Sequence, residues 1–338
     1  MARQPKFKIE VHPSFKVFFK GLFVVLLLYF LFKQGFLSVE VTAQALRKWD
    51  RVLPAVLASA VAMGLGIIRW QYLLRAQSIR LSWGRVAELT LVGNFFNIAL
   101  PGAVSGDLVK AVYVGKDAHT NKAKAFGSIL FDRVAGLSAL VMVSAGALLL
   151  GIENFLHAPV LAGIGLLLGV SAGAVVLFYA YLFMVRERHD PMLKLFRWME
   201  NKFSKLSALT KIYESLRHYH GHRWTVIQVL GISVLIHLLV GFSCFQLVQA
   251  VDDSAFSLMS IYLVVPLGLL VTAVPVAPAG VGTGNLAFLY LFHLIGSERG
   301  GDTYSLMALM NIAFGTIGGV VYFRLKKLSN EAVAPILK

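Results

Sequence analysis

Six stretches of this chain, residues 17–33, 52–74, 125–150, 159–184, 225–250 and 303–324, are apolar runs close to the roughly 20 residues that a bilayer-crossing helix needs. A soluble core could not hold them all. The composition agrees: 57% of the 338 residues are hydrophobic and only 14% charged, against about 25% charged in ordinary soluble domains. The formal charge of +15 would suggest nucleic acid in a soluble protein. Here the basic residues lie between apolar runs, where they set topology and meet anionic headgroups. A soluble enzyme and a nucleic-acid binder are therefore excluded. The single cysteine, Cys244, sits inside an apolar run, which leaves no disulfide framework and no cysteine-based metal site.

The first run follows Arg3, Lys6, Lys8, Lys16 and Lys20 as in a signal peptide. The small-residue site Ala43-Gln44-Ala45 lies too far downstream for ordinary cleavage, so the segment reads as a retained span.

Two further apolar regions, 86–115 and 257–297, are interrupted near their middles. The first breaks at Leu100-Pro101-Gly102-Ala103-Val104-Ser105-Gly106-Asp107, the second between Pro275 and Asn285 with glycines at 280, 282 and 284. Such density of Pro and Gly ends a helix. The freed backbone groups cannot face lipid, so each break must be buried in protein or line a wet cavity.

Basic residues crowd the N-terminus, loops 75–85, 116–124 and 185–224, and the C-terminal tail, whereas loops 151–158 and 251–256 have none. Loop 34–51, with Arg47, Lys48 and Arg51, dissents. The pattern predicts an all-α polytopic membrane protein with both termini cytoplasmic. It has six full spans plus two re-entrant hairpins, or eight spans if the second hairpin crosses fully. Residues 1–324 form one transmembrane domain with inverted halves of about 1–150 and 159–324, and 325–338 is a cytoplasmic tail. Paired interrupted segments at matching positions of two halves mark a transporter's binding site.

The long 185–224 loop is a cytoplasmic insertion. Met192, Leu195, Phe196, Met199, Phe203, Leu206, Leu209, Ile212, Tyr213 and Leu216 recur at helical spacing with Lys and Arg between. It reads either as a helix on an anionic membrane surface or as a cytosolic helix packed on span ends. His218, His220 and His222 follow without a supporting Cys or carboxylate cluster, which argues against a metal site.

Charges inside the apolar segments carry the most information. Asp107 and Lys110 follow the first break three residues apart, on one helical face. Asp132 and Arg133 lie about 12 Å into the third span. At roughly 2.5–3.5 kcal/mol each in mid-membrane, four unpaired charges would cost about 10–14 kcal/mol, a whole domain's stability. Chain neighbours on a helix point about 100° apart, so cross-segment pairs are expected: Lys110 with Asp132, and Asp107 with Arg133. Such pairs either pin the hairpin to the third span or also grip an anionic headgroup, for which a guanidinium fork suits better than an ammonium.

Among other polar residues, Asn94 and Asn97 flank the first turn, where they cap freed carbonyls or contact a headgroup. Arg69 and Arg75, beside Trp70 and Tyr72, read as interfacial anchors. Glu88 pairs with Arg85 or Arg69. His237 reads as a satisfied buried histidine rather than a proton relay. Gly280-x-Gly282-x-Gly284 follows no strand, so it is no nucleotide loop, although N–H groups at a half-helix start can hold an anion.

The ordered set Asn94-Phe95-Phe96-Asn97-Ile98-Ala99-Leu100-Pro101-Gly102, Gly106-Asp107-Leu108-Val109-Lys110, Asp132-Arg133-Val134-Ala135-Gly136 and Pro278-Ala279-Gly280-Val281-Gly282 resembles the flippase-like membrane family that includes the transmembrane region of lysylphosphatidylglycerol synthase. The match covers nearly the whole chain. It implies a bacterial or archaeal cytoplasmic-membrane protein that moves or handles a polar lipid. By the resemblance, Gly106, Asp107 and Lys110 match a Gly-Asp/Glu-x-x-Arg motif with Lys in place of Arg. Arg133 matches an acidic-Arg pair, and Pro278, Gly280 and Gly282 match the second break. Asn285 stands where the family commonly has Glu. No aminoacyl-transfer domain follows Lys338, so the kinship implies no synthase activity.

Together these readings predict a lipid transporter that is not an enzyme and needs no cofactor or metal. Its substrate-binding set is Asn94, Asn97, Gly106, Asp107, Lys110, Asp132, Arg133, Gly280, Gly282 and Asn285, and its partner is a membrane phospholipid or other polar lipid. A homo-oligomer or contact with envelope-lipid enzymes fits the same class. The rivals are an intramembrane enzyme using Asp107 or Asp132 on a lipid-linked substrate, and a non-catalytic accessory subunit of an envelope-lipid pathway.

Overall fold

The computed structural model describes residues 33, 38–99, 105–117, 122–151, 159–203, 206–252, 257–273, 280 and 282–333. The expected span 17–33 therefore lies outside the described residues but for Lys33, as do 100–104 of the first break and 274–279 and 281 of the second. Every regular element described is helical. The α-helices are α1 (Val39–Arg47), α2 (Trp49–Ala76), α3 (Trp83–Ala99), α4 (Ser105–Asp117), α5 (Lys122–Leu150), α6 (Pro159–Met184), α7 (Pro191–Lys202), α8 (Ser207–Arg217), α9 (Arg223–Val251), α10 (Leu258–Thr272), α11 (Thr283–His293) and α12 (Gly300–Val333).

Among the described residues, five stretches are long and apolar enough to cross a membrane: Trp49–Ala76, Lys122–Leu150, Gly163–Met184, Arg223–Val251 and Gly300–Arg324. They coincide with five of the six expected spans. The protein is an all-α polytopic membrane protein. The four helices flanking the two breaks, α3, α4, α10 and α11, have 17, 13, 15 and 11 residues. As described, α4, α10 and α11 are shorter than the roughly 17 residues of a minimal crossing.

Between membrane helices there is no hydrophobic drive to associate, so small residues that admit close backbones decide the packing. Helix α2 lies along α9, and Ala55, Ala58 and Ala62 are buried on its inner side. Ser59 Oγ donates to Ser243 Oγ at 2.9 Å, and Ser243 Oγ to the Ala55 carbonyl at 3.0 Å. Helix α12 lies along α3. There a side chain at Gly318 would overlap the Leu91 carbonyl, and one at Gly315 would strike Ile98. Helix α10 packs on α5, α11 on α12, and α3 on α4.

These contacts have an internal regularity. Exchanging α2 with α9, α3 with α10, α4 with α11 and α5 with α12 turns the α3–α12 contact into α10–α5, and α4–α5 into α11–α12. It likewise turns α2–α3 into α9–α10 and α2–α5 into α9–α12. The α5–α9 contact is the exception, since α2–α12 does not match it in extent.

The 185–224 segment forms two helices, α7 and α8, rather than one. Asp190 is fully buried at their root. Its carboxylate accepts from Tyr181 Oη at 2.6 Å, Leu193 N–H at 3.0 Å and Tyr213 Oη at 2.9 Å, and it meets Arg217 Nε at 2.9 Å. Burial raises this carboxyl, but those donors and the Arg217 charge outweigh it and hold Asp190 below the usual carboxylate range. Arg217 also donates to the Leu182 and Val185 carbonyls at the end of α6. Helix α8 packs on α5, where Gly127 admits the Ser215 side chain. The insertion is thus built onto the ends of α5 and α6. The His218, His220 and His222 ring nitrogens lie 3.0, 2.8 and 3.2 Å from the carbonyls of Ala76, Leu182 and His218.

Candidate functional site

The site is built around the hairpin α3–α4. A side chain at Gly106 would overlap the Gly93 carbonyl, so only glycine allows the two arms to close at that level. The Gly106 N–H donates to Asn97 Oδ1 at 2.8 Å, and Ser105 Oγ donates to the Phe96 carbonyl at 2.9 Å. A Cβ at Gly93 would lie 2.6 Å from Lys110 Cε, so its absence gives the lysine stem its path. Asn97 thus satisfies an orphan N–H at the helix start rather than a freed carbonyl. At the base of the hairpin Arg85 pairs with Asp117 at 2.7 Å and with Glu88 at 2.9 Å.

The buried charges then sort themselves. Arg133 Nε donates to Asp107 Oδ2 at 2.8 Å, which is the expected pair. The other expected pair, Lys110 with Asp132, is replaced. Asp132 is held by Arg69, Nε to Oδ1 at 2.7 Å and Nη2 to Oδ2 at 2.9 Å, while Arg69 Nη1 donates to Ser233 Oγ at 3.0 Å. Arg69 is therefore no interfacial anchor. A planar fork fills both carboxylate oxygens, which an ammonium cannot do, so Arg69 displaces Lys110. Lys110 instead lies 3.7 Å from Asp107 Oδ1, with its ammonium 4.7 Å from the centre of the Trp70 ring. Arg75, by contrast, is exposed and stacks over Trp83 at 5.0 Å.

Two cavities meet at Arg133. One, of about 460 Å³, is lined by Asn94 and Asn97 of the first hairpin, Thr272 and Gly280 of the second, and Asn311 of α12. The other, of about 540 Å³, is lined by Arg69, Asp107, Asp132 and the apolar Phe126, Ile129 and Leu140. Arg133, Ile236, His237, Leu269 and Thr272 border both. Both volumes lie in the range of small-molecule sites. The Arg133 side chain is 49% exposed although it stands well inside a 29-residue apolar helix, whereas Asp107 beneath it is 3% exposed. A fixed carboxylate thus orients a guanidinium whose surface opens to the cavities. His237 Nε2 donates to the Gly136 carbonyl at 3.1 Å, but its buried Nδ1 has no partner among the described residues, so the expected satisfied histidine is satisfied at one nitrogen only.

Residues 17–319 match the family described as the lysylphosphatidylglycerol synthase TM region. The chain belongs to this family. A UPF0104 membrane protein of Pyrococcus horikoshii is 27% identical over 142 residues, which is 41% of this chain and 41% of that protein. The chain thus spans about two-fifths of the length of the curated relative it matches. No solved structure matches significantly. Membership in the lysylphosphatidylglycerol synthase TM family and the five long apolar helices make this a multi-pass membrane protein.

Within this family member, the ten residues expected at the site separate into groups. Asn94, Asn97, Arg133 and Gly280 line the first cavity, and Asp107, Asp132 and Arg133 the second. Lys110 and Gly106 border neither; they shape and charge the ground beneath Asp107. Gly282 and Asn285 also border neither. Asn285 Oδ1 accepts the Gly282 N–H at 3.0 Å, and its Nδ2 donates to the Gly301 carbonyl at 3.0 Å and Ser305 Oγ at 2.7 Å. It pins the start of α11 to α12. Glycine is required at 280 and 282, whose φ angles are +68° and +88°. Arg69, Thr272 and Asn311 escaped sequence reasoning as site residues. For Arg69 a signal existed: it lies six residues inside Arg75, about 9 Å deeper along the helix.

Proposed function

We propose that the protein is a flippase-like transporter that moves a polar phospholipid, anionic or aminoacylated, between leaflets. The headgroup phosphate occupies the joined cavities against Arg133, and the acyl tails stay in lipid. One observation carries this reading: a guanidinium anchored by a buried carboxylate lines two cavities to which both interrupted regions contribute. A guanidinium suits a phosphate's geometry, and a charge pair flanked by apolar helices is screened less than one in bulk water.

The exchange regularity of the helix contacts supports halves that rock against each other around a central site. The Phe126, Ile129 and Leu140 wall offers an apolar flank to the glycerol end of a lipid. Asp107 and Asp132 are each engaged by an arginine, which favours binding over acid–base chemistry. The distribution of basic loops supports cytoplasmic termini and a location in the cytoplasmic membrane.

The test uses the full chain in liposomes carrying labelled phosphatidylglycerol, lysyl-phosphatidylglycerol or phosphatidylcholine. Appearance of the label in the opposite leaflet, faster than in protein-free vesicles, is the expected result. Chemical conversion of the lipid would point to an enzyme. No movement of any of the three lipids would overturn the proposal.

A further inference from the structure

Helix α7 presents three distinct faces. Leu193 is buried, Phe196 packs on Tyr213 with ring centres 5.0 Å apart, and Arg197 reaches Glu214 at 3.0 Å. That side belongs to α8 and the bundle. Lys194 and Asn201 form an exposed polar side. The third face holds Met192, Leu195, Trp198, Met199 and Lys202, within about 120° of arc at 100° per residue. On it Met192, Leu195 and Trp198 are 42%, 47% and 59% exposed. Phe203, which follows, is 56% exposed. Lys202 Nζ lies 5.5 Å from the Trp198 ring centre and 5.9 Å from that of Phe203, so the one cation on this face rides over its two large rings.

The height of α7 is fixed. Asp190, its N-cap, is hydrogen-bonded to Tyr181 in the last turn of α6, and its ion-pair partner Arg217 grips the Leu182 and Val185 carbonyls of the same turn. The helix therefore begins at the level where a membrane-spanning helix leaves the hydrocarbon. At that depth an exposed Trp beside Leu and Met with a snorkelling Lys matches the headgroup boundary. The segment 185–224 carries nine Lys and Arg against four Asp and Glu, which complements an anionic leaflet.

We propose that this face of α7 is a docking surface for the anionic leaflet of the protein's own membrane. Leu195, Met192 and Trp198 enter the acyl boundary, and Lys202 and Lys194 meet lipid phosphates. The inference is independent of the transport reading.

The test uses the full chain in vesicles of phosphatidylcholine alone and with about one-third phosphatidylglycerol. Cys244 is wholly buried, so a single new cysteine can carry a spin label, at Leu195→Cys or at Asn201→Cys. The expected result is that the label at 195 meets oxygen several-fold more readily than a water-soluble nickel chelate, with the order reversed at 201. Phosphatidylglycerol should deepen the 195 label, and K194Q/K202Q should abolish that deepening. Both labels exposed to the chelate would overturn the proposal. So would a 195 label shielded from both reagents or broadened by a second label, which would mean a protein partner. Equal depth in the two vesicles would overturn the headgroup contact. Trp198→Cys, on the same face, replaces any variant that does not reconstitute.

Discussion

Asp132 and Arg133 are chain neighbours whose side chains bind different helices: Asp132 takes both prongs of Arg69 from α2, and Arg133 reaches Asp107 in α4. The helix itself imposes this split, because successive side chains leave its axis about 100° apart. One acid–base couple locks α2 to α5; the other leaves a basic group on a cavity wall. Structural and binding roles are thereby assigned to different arginines.

Removing one partner of the locked pair leaves an uncompensated charge where both side chains are only 13% exposed. Arg69→Ala or Asp132→Ala should each cost about 3–5 kcal/mol. Arg69→Met with Asp132→Leu should recover most of it, since the pair is then replaced rather than broken. Thermal unfolding in detergent checks both statements.

Gly106 is a steric keystone of the first hairpin. Gly106→Ala pushes a methyl group into the Gly93 carbonyl and bends the N–H bond to Asn97. Overpacking of this kind costs about 1–3 kcal/mol. The expected outcome is a lowered melting temperature, and a loss of transport greater than the fraction unfolded accounts for.

The depressed Asp190 carboxyl ties the α7–α8 insertion to pH. A group whose pKa is lowered by folding stabilises above the unfolded value of about 3.9 and loses that contribution as pH falls through the folded value. Acid should therefore loosen the insertion. Asp190→Asn should loosen it at neutral pH and remove the acid dependence. Limited proteolysis at the 203–206 connection, followed against pH, measures this.

Water should reach the first cavity. Asn97→Cys or Thr272→Cys is expected to react with small polar thiol reagents, whereas native Cys244, with no exposed surface, should not. Equal inertness of all three would mean that the cavity is dry.

Much of this was legible in the sequence because lipid penalises exceptions so heavily. Five spans follow from apolar length alone, and the Asp107–Arg133 pair from the cost of leaving either charge unpaired. The Lys110–Asp132 expectation failed because pairing depends on which helices touch, and sequence does not say that α2 packs beside α5 at the level of Asp132. Arg69 competed with Lys110 and prevailed through its two-pronged geometry. Asn285 reads as a site residue from its place in the glycine-rich break, yet its three hydrogen bonds are spent on α11 and α12. One carboxamide looks the same in sequence whether it binds a ligand or pins two helices.

The central claim rests on Arg133, and the leaflet assay with three proteins tests it most directly. Labelled phosphatidylglycerol should move in the native protein, at a reduced rate in Arg133→Lys and not at all in Arg133→Ala. The variants' melting temperatures should fall less than that of Arg69→Ala, because Lys110, 3.7 Å from Asp107 Oδ1, still faces the buried carboxylate that Arg133 leaves. A folded Arg133→Ala protein that moves the lipid at the native rate would contradict the account.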